Sequence, residues 1–94
     1  MKLITVEAKL APDSVARSVA IFNNEAAKVR DMDGCENYAI YEAPDDEDAI
    51  VIVQKWRSKE LFDAYRHGPV FAALGQELKP MMAAPPVTTI AEIE

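Results

Sequence analysis

Few side chains in this chain of 94 residues can do chemistry, and their scarcity narrows the choices. There is one cysteine, one histidine and one tryptophan. A lone Cys35 excludes an internal disulfide and any cysteine-based zinc cluster, and a lone His67 removes most other transition-metal sets, so no protein-only metal site is expected. Cys35 follows Asp33-Gly34 and starts a strand, without a histidine or a helix start beside it in sequence, which suits a small buried residue better than a nucleophile. The run Asp45-Asp46-Glu47-Asp48 follows Pro44 but lacks the alternating ligands, central glycine and distant glutamate of a calcium loop. It reads as a solvated turn. Trp56 is left as the group to build on. It stands at the end of a strand and two residues before the helix cap Ser58, where a large amphipathic ring can floor a small-molecule pocket or anchor the core.

The elements that must hold these side chains follow from hydrophobic period. Lys2 to Leu10 alternates Ile4, Val6, Ala8 and Leu10 with Thr5, Glu7 and Lys9, a strand with one apolar face. Asp13 or Ser14 can cap a helix whose apolar stripe is Val15, Val19, Phe22, Ala26 and Val29. Gly34 ends that helix. Cys35 to Ala43 is a second strand, with neither face plainly apolar, so its orientation stays open. Ala49 to Arg57 is a third, its antiparallel neighbour across a short connection, and its β-branched start suits a strand covered on both faces.

Beyond Trp56 the pattern gives two short helices, Ser58 to about Tyr65 and Val70 to Lys79, separated by His67-Gly68-Pro69. Ser58 is a good N-cap and Glu60 favours the positive end of the helix dipole. His67 closes the first helix, where a partly protonated imidazole favours the negative end of that dipole. Phe71, Leu74 and Leu78 form the stripe of the second, a restricted loop holds Met81, Met82 and Pro85-Pro86, and Val87 to Ile93 is a last strand.

The order β-α-β-β-α-β over residues 1–94 is one α+β domain of ferredoxin-like type, a four-stranded antiparallel sheet with its helices on one face. A sheet face left bare asks for a partner, and a two-fold homodimer is the economical solution. Net charge of −6, with ten basic residues scattered among sixteen acids, argues against a nucleic-acid surface. No run approaches the ~18 apolar residues of a membrane span, and the first residues meet a charge too early for a signal peptide, so the chain reads as cytoplasmic.

In this order the fragments resemble the antibiotic biosynthesis monooxygenase family, small dimeric α+β barrels related to quinol and anthrone monooxygenases. Asp33-Gly34-Cys35-Glu36-Asn37-Tyr38 resembles the family's approach to its second strand. Gln54-Lys55-Trp56-Arg57-Ser58-Lys59-Glu60-Leu61 resembles its strand-to-helix junction, and Gly68-Pro69-Val70-Phe71 its next helix start. The chain departs from the pattern where a histidine often stands nine residues after the tryptophan, which here is Tyr65; Gln54 replaces a glutamate and Val70 a histidine.

The resemblance implies oxygenation of a small aromatic phenol, quinol or anthrone by O₂ with no cofactor, the substrate anion itself reducing O₂. On that basis Trp56, Tyr65 and His67 are the catalytic candidates: a ring that stacks or steers, a hydroxyl for an oxyanion, and the one side chain whose ordinary pKa suits a base. Tyr38, Gln54, Arg57, Phe71 and Met81 are the substrate-binding candidates. A dimeric barrel that binds a small aromatic molecule without turnover is the alternative. Haem degradation fits less well, because the Asn, Trp and His set of the haem-degrading relatives is incomplete here.

Overall fold

The computed structural model describes residues 1–93. Its elements are β1 (Lys2–Lys9), α1 (Val15–Arg30), β2 (Cys35–Glu42), β3 (Ala49–Trp56), α2 (Lys59–Arg66), α3 (Pro69–Leu78), a 3₁₀ turn (Lys79–Met81) and β4 (Val87–Glu92). The four strands form one antiparallel sheet in the order β2-β3-β1-β4, the ferredoxin-like arrangement that the element order predicts.

Alternation along the strands decides what each sheet face carries. Ile4 and Ala8 of β1 and Ile50, Ile52, Gln54 and Trp56 of β3 are buried on the face that receives the helices. From α1, Phe22, Ala26 and Val29 are buried against this face with Ser18, whose hydroxyl donates to the Val15 carbonyl at 2.8 Å. Leu74 and Leu78 of α3 complete the layer, while Phe71, the third member of the expected stripe, stays 44% exposed.

The orientation of β2, open from sequence, is set by an irregularity in its pairing. Cys35 pairs with Trp56 and Asn37 with Lys55, so one extra residue, Glu36, is inserted before Tyr38 meets Gln54. The bulge turns Tyr38 and Ile40 toward the helices. Tyr38 is consequently buried beside Gln54, and Arg30 of α1 fixes the strand by donating from Nε to the Tyr38 carbonyl at 3.0 Å.

Two local devices hold the junction between β3 and α2. Ser58 takes the N-cap and its side chain accepts from the Leu61 amide at 3.3 Å, an interaction that typically contributes ~1 kcal/mol. Gly34 has φ of +89°, and a Cβ there would overlap the Leu61 side chain, so glycine is required both for its backbone and for the approach of α2. At the start of α1, Ser14 takes the cap position without a side-chain bond, and Asp13 adopts a φ of +67°.

The opposite sheet face has no helix over it. Tyr41 is 56% and Val87 57% exposed there, and all six residues of β4 are exposed. In the acidic turn Asp46 accepts from the Asp48 amide at 3.0 Å and pairs with Lys9. Among the described residues no group of three His, Cys, Asp or Glu side chains is placed to hold a metal ion, and no helix is long and apolar enough to cross a membrane.

Candidate functional site

Between the helix layer and the sheet lies a cavity of about 630 Å³, within the range of small-molecule sites. The sheet contributes Val6 and Ala8 from β1, Tyr38 from β2, and Ile52 and Gln54 from β3. The helices contribute Phe22, Tyr65, Phe71, Leu74 and Leu78, and the segment from Lys79 to Pro86 forms the rim. Most of this lining is apolar. Its polar residues are Tyr38, Tyr65, Gln54 and Lys79.

An aromatic cluster builds the floor. The Trp56 indole is fully buried and stacks on Tyr65, with ring centroids 5.3 Å apart and planes 20° from parallel. Tyr65 meets Tyr38 edge-on at 6.4 Å and Phe71 edge-on at 5.5 Å. Phe62 packs beside both Trp56 and Tyr65. Pairs of this kind contribute about 0.5–1.5 kcal/mol beyond their buried area, so four rings hold Tyr65 in place before any ligand arrives.

The electrostatics of the floor follow from burial. Burial pushes the Tyr38 phenol far above its ordinary range, and the Tyr65 phenol beside it adds to the rise. Tyr65 is raised mainly by burial as well, partly offset by the Tyr38 hydroxyl. Both rings are therefore neutral phenols through the physiological range. The Tyr38 oxygen is closed off and has no well-formed hydrogen bond. Burial also raises the Cys35 thiol, which is half-buried near this cluster and donates to the Asn37 carbonyl at 3.6 Å.

Of the residues singled out from sequence, the structure brings Tyr38, Gln54, Tyr65 and Phe71 together around the cavity. Trp56 does not reach it. The indole lies behind Tyr65 and Gln54, and its Nε1 donates to Gln54 Oε1 at 2.9 Å within the core. His67 is exposed at the end of α2 and is not part of the lining. Arg57 points to solvent, where it pairs with Asp33 and, at 3.6 Å, with Glu36. Met81 is half-buried outside the lining, whereas its neighbour Met82 is within it.

Several lining residues carry signals that the chemistry-led reading did not use. Phe22 and Leu74 belong to apolar stripes already visible in sequence, and an inward stripe under a sheet is where a cavity must lie. Met82 carries the weaker signal of a flexible thioether side chain suited to a pocket wall, and Lys79 carries none. Their direction depends on the 3₁₀ turn and on the pairing of Leu10 with Met82, which ties the rim to the end of β1.

The antibiotic biosynthesis monooxygenase family model matches residues 1–76. No curated protein matches the chain. Among solved structures, a Caulobacter crescentus protein provisionally named an antibiotic biosynthesis monooxygenase is 23% identical, with a TM-score of 0.92 over 99% of this chain and 90% of that one. Rv0793 from Mycobacterium tuberculosis is 20% identical, with a TM-score of 0.88 over 99% and 94%. An antibiotic biosynthesis monooxygenase is 13% identical, with a TM-score of 0.90 over 100% and 99%. At these identities the structural likeness establishes the fold.

Proposed function

The chain belongs to the antibiotic biosynthesis monooxygenase family, and from that premise we propose that it oxygenates a small aromatic phenol, quinol or anthrone with O₂, in the cavity between sheet and helices. One observation carries this reading: an apolar cavity of about 630 Å³ has the Gln54 and Tyr65 side chains among its lining. A flat aromatic substrate would bury its rings against Phe22, Phe71 and Leu74 and place an oxygen beside those two side chains. Burying such rings contributes roughly 25 cal/mol per Å² of apolar surface.

The chemistry asked of the protein is modest. Loss of a proton gives the substrate anion, which is electron-rich enough to reduce O₂. Carbon–oxygen bond formation gives a hydroperoxide, and in the anthrone case loss of water from it leaves a new carbonyl, so one oxygen atom enters product and the other leaves as water. Hydrogen bonds to the developing oxyanion stabilise the anion in a cavity of low dielectric, and the Lys79 charge at the rim favours the same species. Among the described residues the cavity lining contains neither a carboxylate nor an imidazole. The proton is therefore expected to leave through solvent at the rim, and substrates of low pKa should react fastest.

That same lack of a base supports a second reading, a binding protein without turnover. Oxygen uptake with a panel of hydroquinones and anthrones separates the two. Uptake that falls at least ~10-fold in Tyr65→Phe and Gln54→Leu supports the enzyme and its site. No uptake with any member of the panel, alongside retained ligand binding, leaves only the binding reading. A haem titration with no Soret shift would set the haem-degrading branch aside.

The proposal includes a homodimer. Ala39, Tyr41, Val51, Val53 and Val87 lie on the sheet face without helices, and β4 is exposed along its whole length. A second copy would cover both. Sedimentation showing a monomer at micromolar concentration would remove this part of the proposal.

A further inference from the structure

Gln54 is the one flexible polar side chain in the cavity floor, and its orientation is not free. An indole N–H can only donate. The atom of Gln54 that faces Trp56 Nε1 at 2.9 Å is therefore the carbonyl oxygen. The Nε2 atom then occupies the other branch of the amide. It donates to no group among the described residues, yet it is not sealed in the protein, and the side chain lines the cavity. Two N–H donors are thus left to the ligand.

We infer that Trp56 is a positioning residue that locks the Gln54 amide as a hydrogen-bond donor, so that the floor of the cavity selects a ligand oxygen able only to accept, a carbonyl or a deprotonated hydroxyl. The neighbouring phenols do not set this polarity, because a hydroxyl donates or accepts as its partner requires and the Tyr38 oxygen is closed off. The amide cannot adapt in this way. Turning it over would set its N–H₂ against the indole N–H, two donors face to face in the core, and would leave a buried donor unmatched at a cost of about 1–3 kcal/mol.

The spacing makes the lock local. Gln54 and Trp56 are two residues apart on β3 and so share the helix-facing side of the sheet. Stacking on Tyr65 holds the indole plane, and Tyr65 is itself wedged by Phe62 and Phe71. A glutamate at this position would behave in the opposite sense. One carboxylate oxygen would take the indole N–H and the other would present an acceptor to the cavity, turning the floor toward ligands that donate. The amide in this chain therefore fixes the protonation state of the ligand that is preferred.

The inference rests on the reading that this cavity is the ligand site, but its test needs no turnover. Two probes of one skeleton are titrated by calorimetry: 1,4-naphthoquinone, whose oxygens only accept, and 1-aminonaphthalene, whose nitrogen mainly donates. The wild type is expected to favour the quinone by about ten-fold or more. Trp56→Phe, which frees the amide to turn over, should bring that ratio toward one. Gln54→Glu, which keeps the indole bond and the side-chain shape, should invert it at a pH high enough to ionise the buried carboxyl, and decides the matter if Trp56→Phe fails to fold. In the wild type the Gln54 side-chain amide resonance should shift when naphthoquinone is added.

A wild type that binds neither probe or shows no preference overturns the inference. So does a folded Trp56→Phe that keeps the full ratio, or a Gln54→Glu that still favours the quinone once its carboxyl is ionised. A retained ratio without oxygen uptake would instead count against the oxygenase proposal alone.

Discussion

The two ends of the cavity are built on different physical terms. At the floor, Tyr38, Gln54 and Tyr65 stand on two strands and a helix, each at most 4% exposed, held by stacked rings and one buried hydrogen bond. At the rim, Lys79 and Ala83 to Pro86 are exposed, and the segment is held to the end of β1 and the residues just after it by two backbone bonds, from the Ala83 amide to the Lys9 carbonyl at 2.9 Å and from the Ala11 amide to the Met81 carbonyl at 2.7 Å. A floor of this kind fixes what a ligand's polar end must be, because its groups cannot rearrange without leaving a partner unmatched. The rim governs access, and it can change at little cost to the fold.

Substitutions should expose that contrast, the floor responding in stability and the rim in binding. Trp56→Ala is expected to have the largest effect, a loss of about 3–5 kcal/mol by urea denaturation, since it removes a fully buried ring, its stack on Tyr65 and the partner of Gln54. Gly34→Ala should cost roughly 2 kcal/mol or more, from the strain of φ +89° in an L residue and from the overlap with Leu61 that pushes α2 off the floor. A loss below about 1 kcal/mol would mean that α2 gives way without disturbing Tyr65.

Tyr38→Phe should act in the opposite direction. Removing a buried hydroxyl that lacks a well-formed hydrogen bond is expected to stabilise the chain by about 1 kcal/mol. The same substitution sharpens a pH prediction. A phenol whose folded pKa is raised contributes stability that is fully present below its unfolded value near 10, and loses it as pH climbs from there toward the folded value. The wild type should therefore weaken above about pH 10, and Tyr38→Phe should weaken less steeply over that window. An unchanged slope would assign the alkaline loss to other groups.

The smallest expected effect is at the rim. Lys79→Ala should change stability by no more than about 0.5 kcal/mol, while an anionic aromatic probe such as 1-naphthoate binds a few-fold more weakly at low salt and equally at high salt. Equal binding at both salt concentrations would remove the ammonium from any role in attracting an anion.

Much of this architecture was legible from residue types alone. Period-two alternation in Lys2–Lys9, the stripe ending at Val29, the cap at Ser58 and the break at Gly68-Pro69 each follow from local sterics and solvation, and local rules need no knowledge of the rest of the chain. Tyr38, Gln54, Tyr65 and Phe71 stand among the eight candidates that residue type and the resemblance single out, and nothing in the sequence separates them from Trp56, His67, Arg57 and Met81, which do not line the cavity. The open choice for Trp56, pocket floor or core anchor, went to the core. A helix-layer packing decision made it so: α2 laid Tyr65 across the indole, and the buried N–H needed an acceptor that only Gln54 supplied.

The orientation of β2 was beyond sequence for a related reason. Neither of its faces is plainly apolar, so alternation gave no preference, and the bulge at Glu36 resolved it by satisfying pairing on both sides of Trp56. His67 and Arg57 have side chains suited to chemistry, yet position on a helix end and a strand end sent them to solvent. The sequence by itself determined which elements form and, outside β2, which residues share a face, because those depend on neighbours a few positions away. Only the tertiary structure decided which of those residues meets the cavity and in what hydrogen-bonding sense, because that depends on groups brought together from β1, β2, β3, α1, α2 and α3 at once.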